Sequence, residues 1–166
     1  VTRRKEIDRK TTNVSGIFSY LQEIYDETKN PEDGRVKVNI CWEEGELYAE
    51  ENLLKTVLIN LTDNAIKASE EGQTVEITGR RMENGYYFQV RDEGIGIPEE
   101  ELYKITEAFY MVDKSRSRAH NGAGLGLALC TAILELHHSR LKIESTQGRG
   151  SCMSFLIPDE EVKADE

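Results

Sequence analysis

Between Thr12 and Thr28, Val14, Ile17, Leu21 and Ile24 recur at intervals of three and four, the spacing of one face of an α-helix. Asn30-Pro31-Glu32-Asp33-Gly34 breaks that pattern. Val36, Val38 and Ile40 then alternate with Lys37 and Asn39, as in a half-buried strand. Glu43-Glu44-Gly45 reads as a turn, and Leu47-Tyr48-Ala49 as a short strand. The strongest helical pattern covers Glu51 to Ser69, where Leu54, Val57, Leu58, Leu61, Ala65 and Ile66 form one stripe. Gly72 is expected to cap it in a left-handed conformation. Val75-Glu76-Ile77 and Tyr87-Phe88-Gln89-Val90 read as strands joined across Glu83-Asn84-Gly85, a hairpin signal. Residues 98–124 are polar and carry little periodicity, the pattern of a long functional loop. Leu125 to His137 reads as a second buried helix. Two further strands, at Leu141-Lys142-Ile143 and over 153–157, flank the turn Gly148-Arg149-Gly150. Helices and hairpin strands alternate without a regular βαβ repeat. This predicts an α+β fold, with helices covering one face of a mostly antiparallel sheet.

Composition narrows the picture. A chain of 166 residues, 38% hydrophobic and 31% charged, suits one domain with a real core. No run reaches the length of about 18 apolar residues that a membrane helix needs. The first residue is Val1 rather than Met, so the chain is expected to be a piece of a longer protein. Residues 1–10, charged and nearly free of apolar side chains, read as a linker or the end of a preceding helix. Residues 11–158 would be the domain, and the acidic run 159–166 a frayed tail. A net charge of -10 argues against non-specific binding to nucleic acid or anionic lipid. Cys41, Cys130 and Cys152 are scattered with no C-x-x-C pair and read as buried, reduced thiols. His137-His138 is a poor zinc pair, because neighbours on a helix point about 100° apart.

Four segments carry the chemistry. Asn60 and Asn64 lie four apart on one helix face, with Lys67 three residues further on. A neutral amide oxygen can ligate Mg²⁺, which keeps waters and bridges to phosphate oxygens. Asp92 ends a strand, where its carboxylate can accept from the exocyclic amine of adenine. Gly94 and Gly96 then allow close approach of backbone to the base. Phe109-Tyr110, followed by Lys114, Arg116 and Arg118, suits a lid over 98–121 that is mobile until nucleotide orders it, with cations reaching the polyphosphate. Gly122, Gly124 and Gly126, followed by Leu127, open a helix whose free N–H groups suit phosphate. The G-x-G-x-G spacing is neither the dinucleotide fingerprint nor a P-loop.

In this order, the segments resemble the N box (Asn60 to Lys67), first glycine box (Asp92 to Gly96), F box (Phe109 to Arg116) and second glycine box (Gly122 to Gly126) of bacterial sensor histidine kinases. The resemblance is to their ATP-binding catalytic domain, within the wider family of gyrase-type and mismatch-repair ATPases. It covers about Thr12 to Pro158. It implies a two-layer α/β sandwich of the Bergerat type, a mixed sheet under about three helices, with ATP between the N-box helix and the lid. By motif position, Asn64 resembles the Mg²⁺ ligand, and Asn60 and Lys67 resemble phosphate contacts. Asp92 resembles the adenine carboxylate, Gly94 and Gly96 the base-site glycines, and Gly122, Gly124, Gly126 and Leu127 the phosphate side. Phe109 resembles the lid aromatic, and Lys114 and Arg116 its cations.

The sequence departs from the family pattern at several positions. Ala68 stands where an aromatic is common, and Thr106 and Ala108 replace a Phe and a Pro. Met111 stands where many relatives have Arg, and His138-Ser139 replaces a frequent Gly-Gly. Asn60 stands where gyrase-type relatives place a general-base Glu, which implies slow hydrolysis because an amide takes no proton at neutral pH. His120, His137 and His138 lack the acidic neighbour of a phosphoacceptor. The resemblance therefore implies transfer of the γ-phosphoryl group to a histidine in an upstream dimerisation domain, in a homodimer that passes phosphate to a response regulator. It also implies a cytoplasmic domain of a membrane-anchored sensor. Two other readings share the motifs: an anti-sigma-factor-type serine kinase, and a pseudokinase whose pocket serves only interaction.

Overall fold

A computed structural model describes residues 7–26, 36–94 and 123–159. Strand β1 (Lys10–Asn13) leads into helix α1 (Val14–Ile24). Strands β2 (Lys37–Trp42) and β3 (Glu46–Ala49) precede helix α2 (Glu51–Ala68). The hairpin β4 (Thr74–Met82) and β5 (Gly85–Asp92) follows. Helix α3 (Ala123–Leu136) and the hairpin β6 (Lys142–Thr146) and β7 (Gly150–Pro158) complete the described chain. Five strands form one sheet in the order β2-β4-β5-β7-β6. Every pair in it is antiparallel except β2 with β4, which are parallel because β3 and α2 intervene between them. A separate antiparallel pair, β1 with β3, lies beside it. The α+β sandwich expected from the sequence is the fold observed.

The core lies between the helices and one face of this sheet. Alternation along β5 sends Tyr86, Phe88 and Val90 inward, opposite Ile157, Phe155 and Met153 of β7. Val14, Ile17, Phe18 and Leu21 of α1 are wholly buried, as are Leu54, Val57 and Leu58 of α2. Phe18 stacks on Trp42 with centroids 5.0 Å apart and on Phe88 at 5.7 Å, and Phe88 stacks on Phe155 at 5.0 Å. Gly79 makes room for this spine: a Cβ there would stand 2.6 Å from Phe18 Cζ.

The elements differ from the sequence expectations in five places. Helix α1 begins at Val14, because Asn13 Oδ1 caps Ser15 N at 2.8 Å, and ends at Ile24 rather than Thr28. Residues 10–13 form a strand, with Lys10 opposite Ala49, where a linker and a helix start were expected. Arg9 also sits 4.7 Å over the Tyr48 ring. Gly72, at φ 90°, serves the turn after α2 rather than its cap; the cap is Ser69, whose backbone is extended. Cys41 is exposed on edge strand β2, whereas Cys130 and Cys152 are buried. Asp159, expected in a frayed tail, accepts two bonds from Arg81 Nη2, at 2.9 and 2.7 Å. The break at 30–34 and the lid at 98–121 lie outside the described residues.

Candidate functional site

Helices α2 and α3 run antiparallel. Glu50 N, at the start of α2, meets His137 Nε2 just beyond α3 at 3.1 Å. Midway, the Cys130 thiol donates to Val57 O at 3.7 Å. At the far end, a methyl group at Gly126 would stand 3.8 Å from Asn64 Nδ2. The antiparallel pairing thus brings the last turns of α2 against the first turns of α3.

Strands β5 and β7 reach the same end of the molecule. A Cβ at Gly94 would run into Ala68 O, the last carbonyl of α2. Gly150, at φ 104°, opens β7 against the Asp92 backbone, where any Cβ would strike Asp92 O. Four elements therefore converge around Asn64, Asp92 and Gly126.

Asp92 is 7% exposed. Its Oδ1 accepts from Gly94 N at 2.8 Å and from Ser151 N at 3.3 Å. Both bonds use one oxygen, so the carboxylate is fixed in orientation, and among the described residues Oδ2 accepts no hydrogen bond. Burial pushes its pKa above the usual carboxylate range, against the pull of those two N–H donors. Beside it, Ser151 Oγ pairs with Ser145 Oγ at 2.8 Å.

Asn64 Nδ2 is buried and has no hydrogen-bond partner among the described residues. An amide so placed forfeits its desolvation energy unless something binds it. Asn60 lies one turn earlier on α2, with its side chain at the Cys130 thiol; burial pushes that thiol up to about 12. Lys67 is exposed in the last turn of α2, the end that favours a cation. Gly124 lies in the first turn of α3, whereas Leu127 is 3% exposed and packs in the core. Gly96, Phe109, Lys114, Arg116 and Gly122 lie outside the described residues. Among the described residues no group of three or more His, Cys, Asp or Glu gathers to hold a metal.

Sequence reasoning missed three supports of the site. Tyr25, at the end of α1, donates to Asp63 Oδ1 at 2.9 Å and ties α1 to α2 beside Asn64. Burial, with Asp63 beside it, holds that phenol protonated far above the ordinary tyrosine range. Ser151 was not singled out, because a serine at a strand start carries no signal until its partner is known. His137 was weighed for zinc, as half of a helical pair, and as a phosphoacceptor, but not for a structural bond. In the structure it is buried and bonded, and His138 is exposed at φ 61°.

The family model described as histidine kinase-, DNA gyrase B- and HSP90-like ATPase matches residues 49–161. The chain belongs to this family. Within it, the similarity is to sensor histidine kinases. The phosphate regulon sensor protein PhoR of Haemophilus influenzae is 42% identical over 112 residues, covering 68% of this chain and 26% of PhoR. The sensor histidine kinase WalK of Bacillus subtilis is 32% identical over 154 residues, covering 90% of this chain and 25% of WalK. The chain thus spans about a quarter of the length of these relatives. A solved catalytic domain of the histidine kinase ThkA superposes with a TM-score of 0.75 at 25% identity, covering 92% of this chain and 99% of that one. A further structure holds ThkA in complex with the response regulator protein TrrA; its TM-score is 0.71 at 25% identity, over 93% of this chain and 43% of that one. Among the described residues no helix is long and apolar enough to cross a membrane.

Proposed function

We propose that this chain is a histidine kinase's catalytic domain, which binds Mg²⁺·ATP where α2, α3, β5 and β7 converge. The observation that carries this reading is the pair Asn64 and Asp92. Among the described residues, one is an amide whose buried nitrogen has no partner and faces Gly126; the other is a buried carboxylate with one oxygen pinned and the other accepting no bond. Asp92 Oδ2 would accept from the exocyclic amine of adenine, which guanine lacks at that position. The orphaned Asn64 amide fits a Mg²⁺ site: by turning about its last bond it presents Oδ1, a ligand suited to that ion. Bound there with ATP, Mg²⁺ would neutralise charge developing on the phosphate oxygens.

Asn60 and Lys67 lie on the phosphate side, and the first turn of α3, with Gly124 and Gly126, offers free N–H groups. Lys114, Arg116 and Phe109 are assigned to the lid, Gly96 to the base site and Gly122 to the second glycine box. An amide at position 60 cannot deprotonate water, so the domain holds ATP for another acceptor. The lone pair of a histidine imidazole in an adjoining dimerisation domain attacks the γ-phosphorus. The P–N bond forms as the bond to the ADP oxygen breaks. The full protein is read as a homodimer that passes the phosphoryl group to a response regulator, with this domain in the cytoplasm. The relatives that are sensor kinases and the ThkA–TrrA complex support that reading.

The test joins this chain to its own histidine-containing domain and supplies Mg²⁺ with ATP radiolabelled at the γ-phosphorus. The expected product is acid-labile, base-stable phosphate on the added domain and none on this chain alone. Acid-stable phosphate on a separate protein would favour a serine kinase. Tight binding with no transfer would favour a pseudokinase. Stable phosphohistidine at His137 or His138 would contradict the assignment of the acceptor to another domain.

A further inference from the structure

His137 is wholly buried, yet the nucleotide reading gives it no task. Its ring lies between two backbone groups of opposite character. Nδ1 is 2.9 Å from Ile133 O, and Nε2 is 3.1 Å from Glu50 N. A carbonyl only accepts and an amide N–H only donates. Together they require a neutral imidazole with its proton on Nδ1 and its lone pair on Nε2. An imidazolium would turn an N–H toward the Glu50 N–H and lose that bond.

The bond joins the two helices of the site at the end remote from the nucleotide. Glu50 is the N-cap of α2, and its carboxylate is already engaged with Leu53 N at 3.1 Å. From Glu50 to Asn64 the helix spans about 21 Å of nearly rigid rod. Elsewhere among the described residues the α2–α3 contact relies on apolar side chains, which resist sliding weakly because burial has no direction, and on the Cys130 thiol, a weak hydrogen-bonding group that meets Val57 O over a long bond and the Asn60 side chain. The His137 ring is thus the strongest directional link found between the two helices among the described residues.

We propose that His137 is a positioning residue for the nucleotide site: as the neutral Nδ1–H imidazole it pins the end of α3 to the start of α2 and sets the register in which Gly126 faces Asn64. This rests on the nucleotide reading for its effect on affinity, although the pin itself does not. It also makes the register sensitive to acid. The charged and titratable groups facing the ring are Arg9, ahead of β1, Glu50 on α2, and His138. Burial dominates and lowers the pKa of His137, so the folded protein holds fewer protons here than the unfolded chain. The stabilisation is full above the ordinary histidine value of about 6.5 and is lost as pH falls from there toward the folded value.

The test uses the whole chain, its His137→Gln variant, which keeps an acceptor near Nε2 but cannot be protonated, and His137→Ala. Imidazole nitrogen NMR should show Nε2 bare and Nδ1 protonated at neutral pH. His137→Ala should shift the Gly126 and Asn64 amide resonances and weaken ATP binding about tenfold, as loss of one buried bond implies. His137→Gln should restore affinity to within about threefold of the parent. Titration of Asp92 is common to parent and variant, so the acid-dependent part of affinity that His137→Gln removes belongs to His137. A ring protonated on Nε2, or parent and His137→Gln affinities that share one pH profile, would overturn the proposal. Should the parent bind no ATP, the nucleotide reading fails, and the tautomer and the Gly126 and Asn64 resonances decide on the pin alone. Should His137→Ala fail to fold, the comparison of parent with His137→Gln decides.

Discussion

Asp92 is a carboxylate that the fold tolerates at a cost. Its raised pKa means that the folded chain binds a proton here more tightly than the unfolded one. Its contribution to stability therefore declines as pH rises through the interval between the unfolded and folded values, and the penalty stays at neutral pH. Asp92→Asn keeps an oxygen for Gly94 N and Ser151 N and removes that penalty. Thermal melts at pH 7 should show a higher Tm for the variant, with the difference closing as pH falls below the ordinary aspartate value of about 3.9. ATP affinity should fall by about tenfold or more, because an amide mispairs with the base amine. A variant of lower Tm at pH 7 would count against the burial argument. His138 shows a different local compromise. Ser139 N bonds Leu134 O at 2.8 Å and His138 N bonds Glu135 O at 3.0 Å, the pattern of a Schellman cap with His138 in the left-handed position. Glycine is the usual residue there, so His138→Gly should stabilise by about 0.5–1 kcal/mol in denaturant unfolding. Asp92 was legible in the sequence because a carboxylate at a strand end before two glycines is a local pattern. His137 was not, because its meaning depends on Glu50, which is remote in sequence and adjacent only in the fold.

Helix α2 carries Asn60, Asn64 and Lys67, and its last turn meets Gly94. Gly94→Ala would drive a methyl group into Ala68 O and displace either α2 or the Asp92 turn. It should destabilise by about 1–3 kcal/mol and weaken ATP binding together, measured by chemical unfolding and calorimetry. Unchanged stability would contradict the close approach of β5 to α2. Asn64→Ala should act otherwise: it removes a polar orphan, so the fold should hold, while ATP affinity falls about tenfold only when Mg²⁺ is present. Equal losses with and without the ion would argue against an ion ligand. The helices and hairpins were legible because their apolar periods are long and clean, as in the stripe from Leu54 to Ala65. Strand β1 was not, since Lys-Thr-Thr-Asn has no apolar alternation and becomes a strand only by pairing with β3.

At the scale of the whole molecule, antiparallel hairpins followed from short turns, but the strand order did not. Nothing local in Lys37–Trp42 says that it pairs in parallel with Thr74–Met82; that pairing follows from α2 crossing between them. Nor does the sequence say that β7 enters between β5 and β6, which brings Gly150 and Ser151 against Asp92. Of the family-motif residues, those crossovers set Gly126 against Asn64, and Gly94, beside Asp92, against the end of α2. The central claim is that this convergence is an adenine nucleotide site. Calorimetric titration of the chain with ATP and with GTP, in the presence of Mg²⁺, tests it most directly. The account predicts saturable binding of ATP with GTP weaker by about tenfold or more, since guanine offers Asp92 an acceptor in place of a donor. Equal affinity for the two nucleotides, or no binding of either, would contradict it.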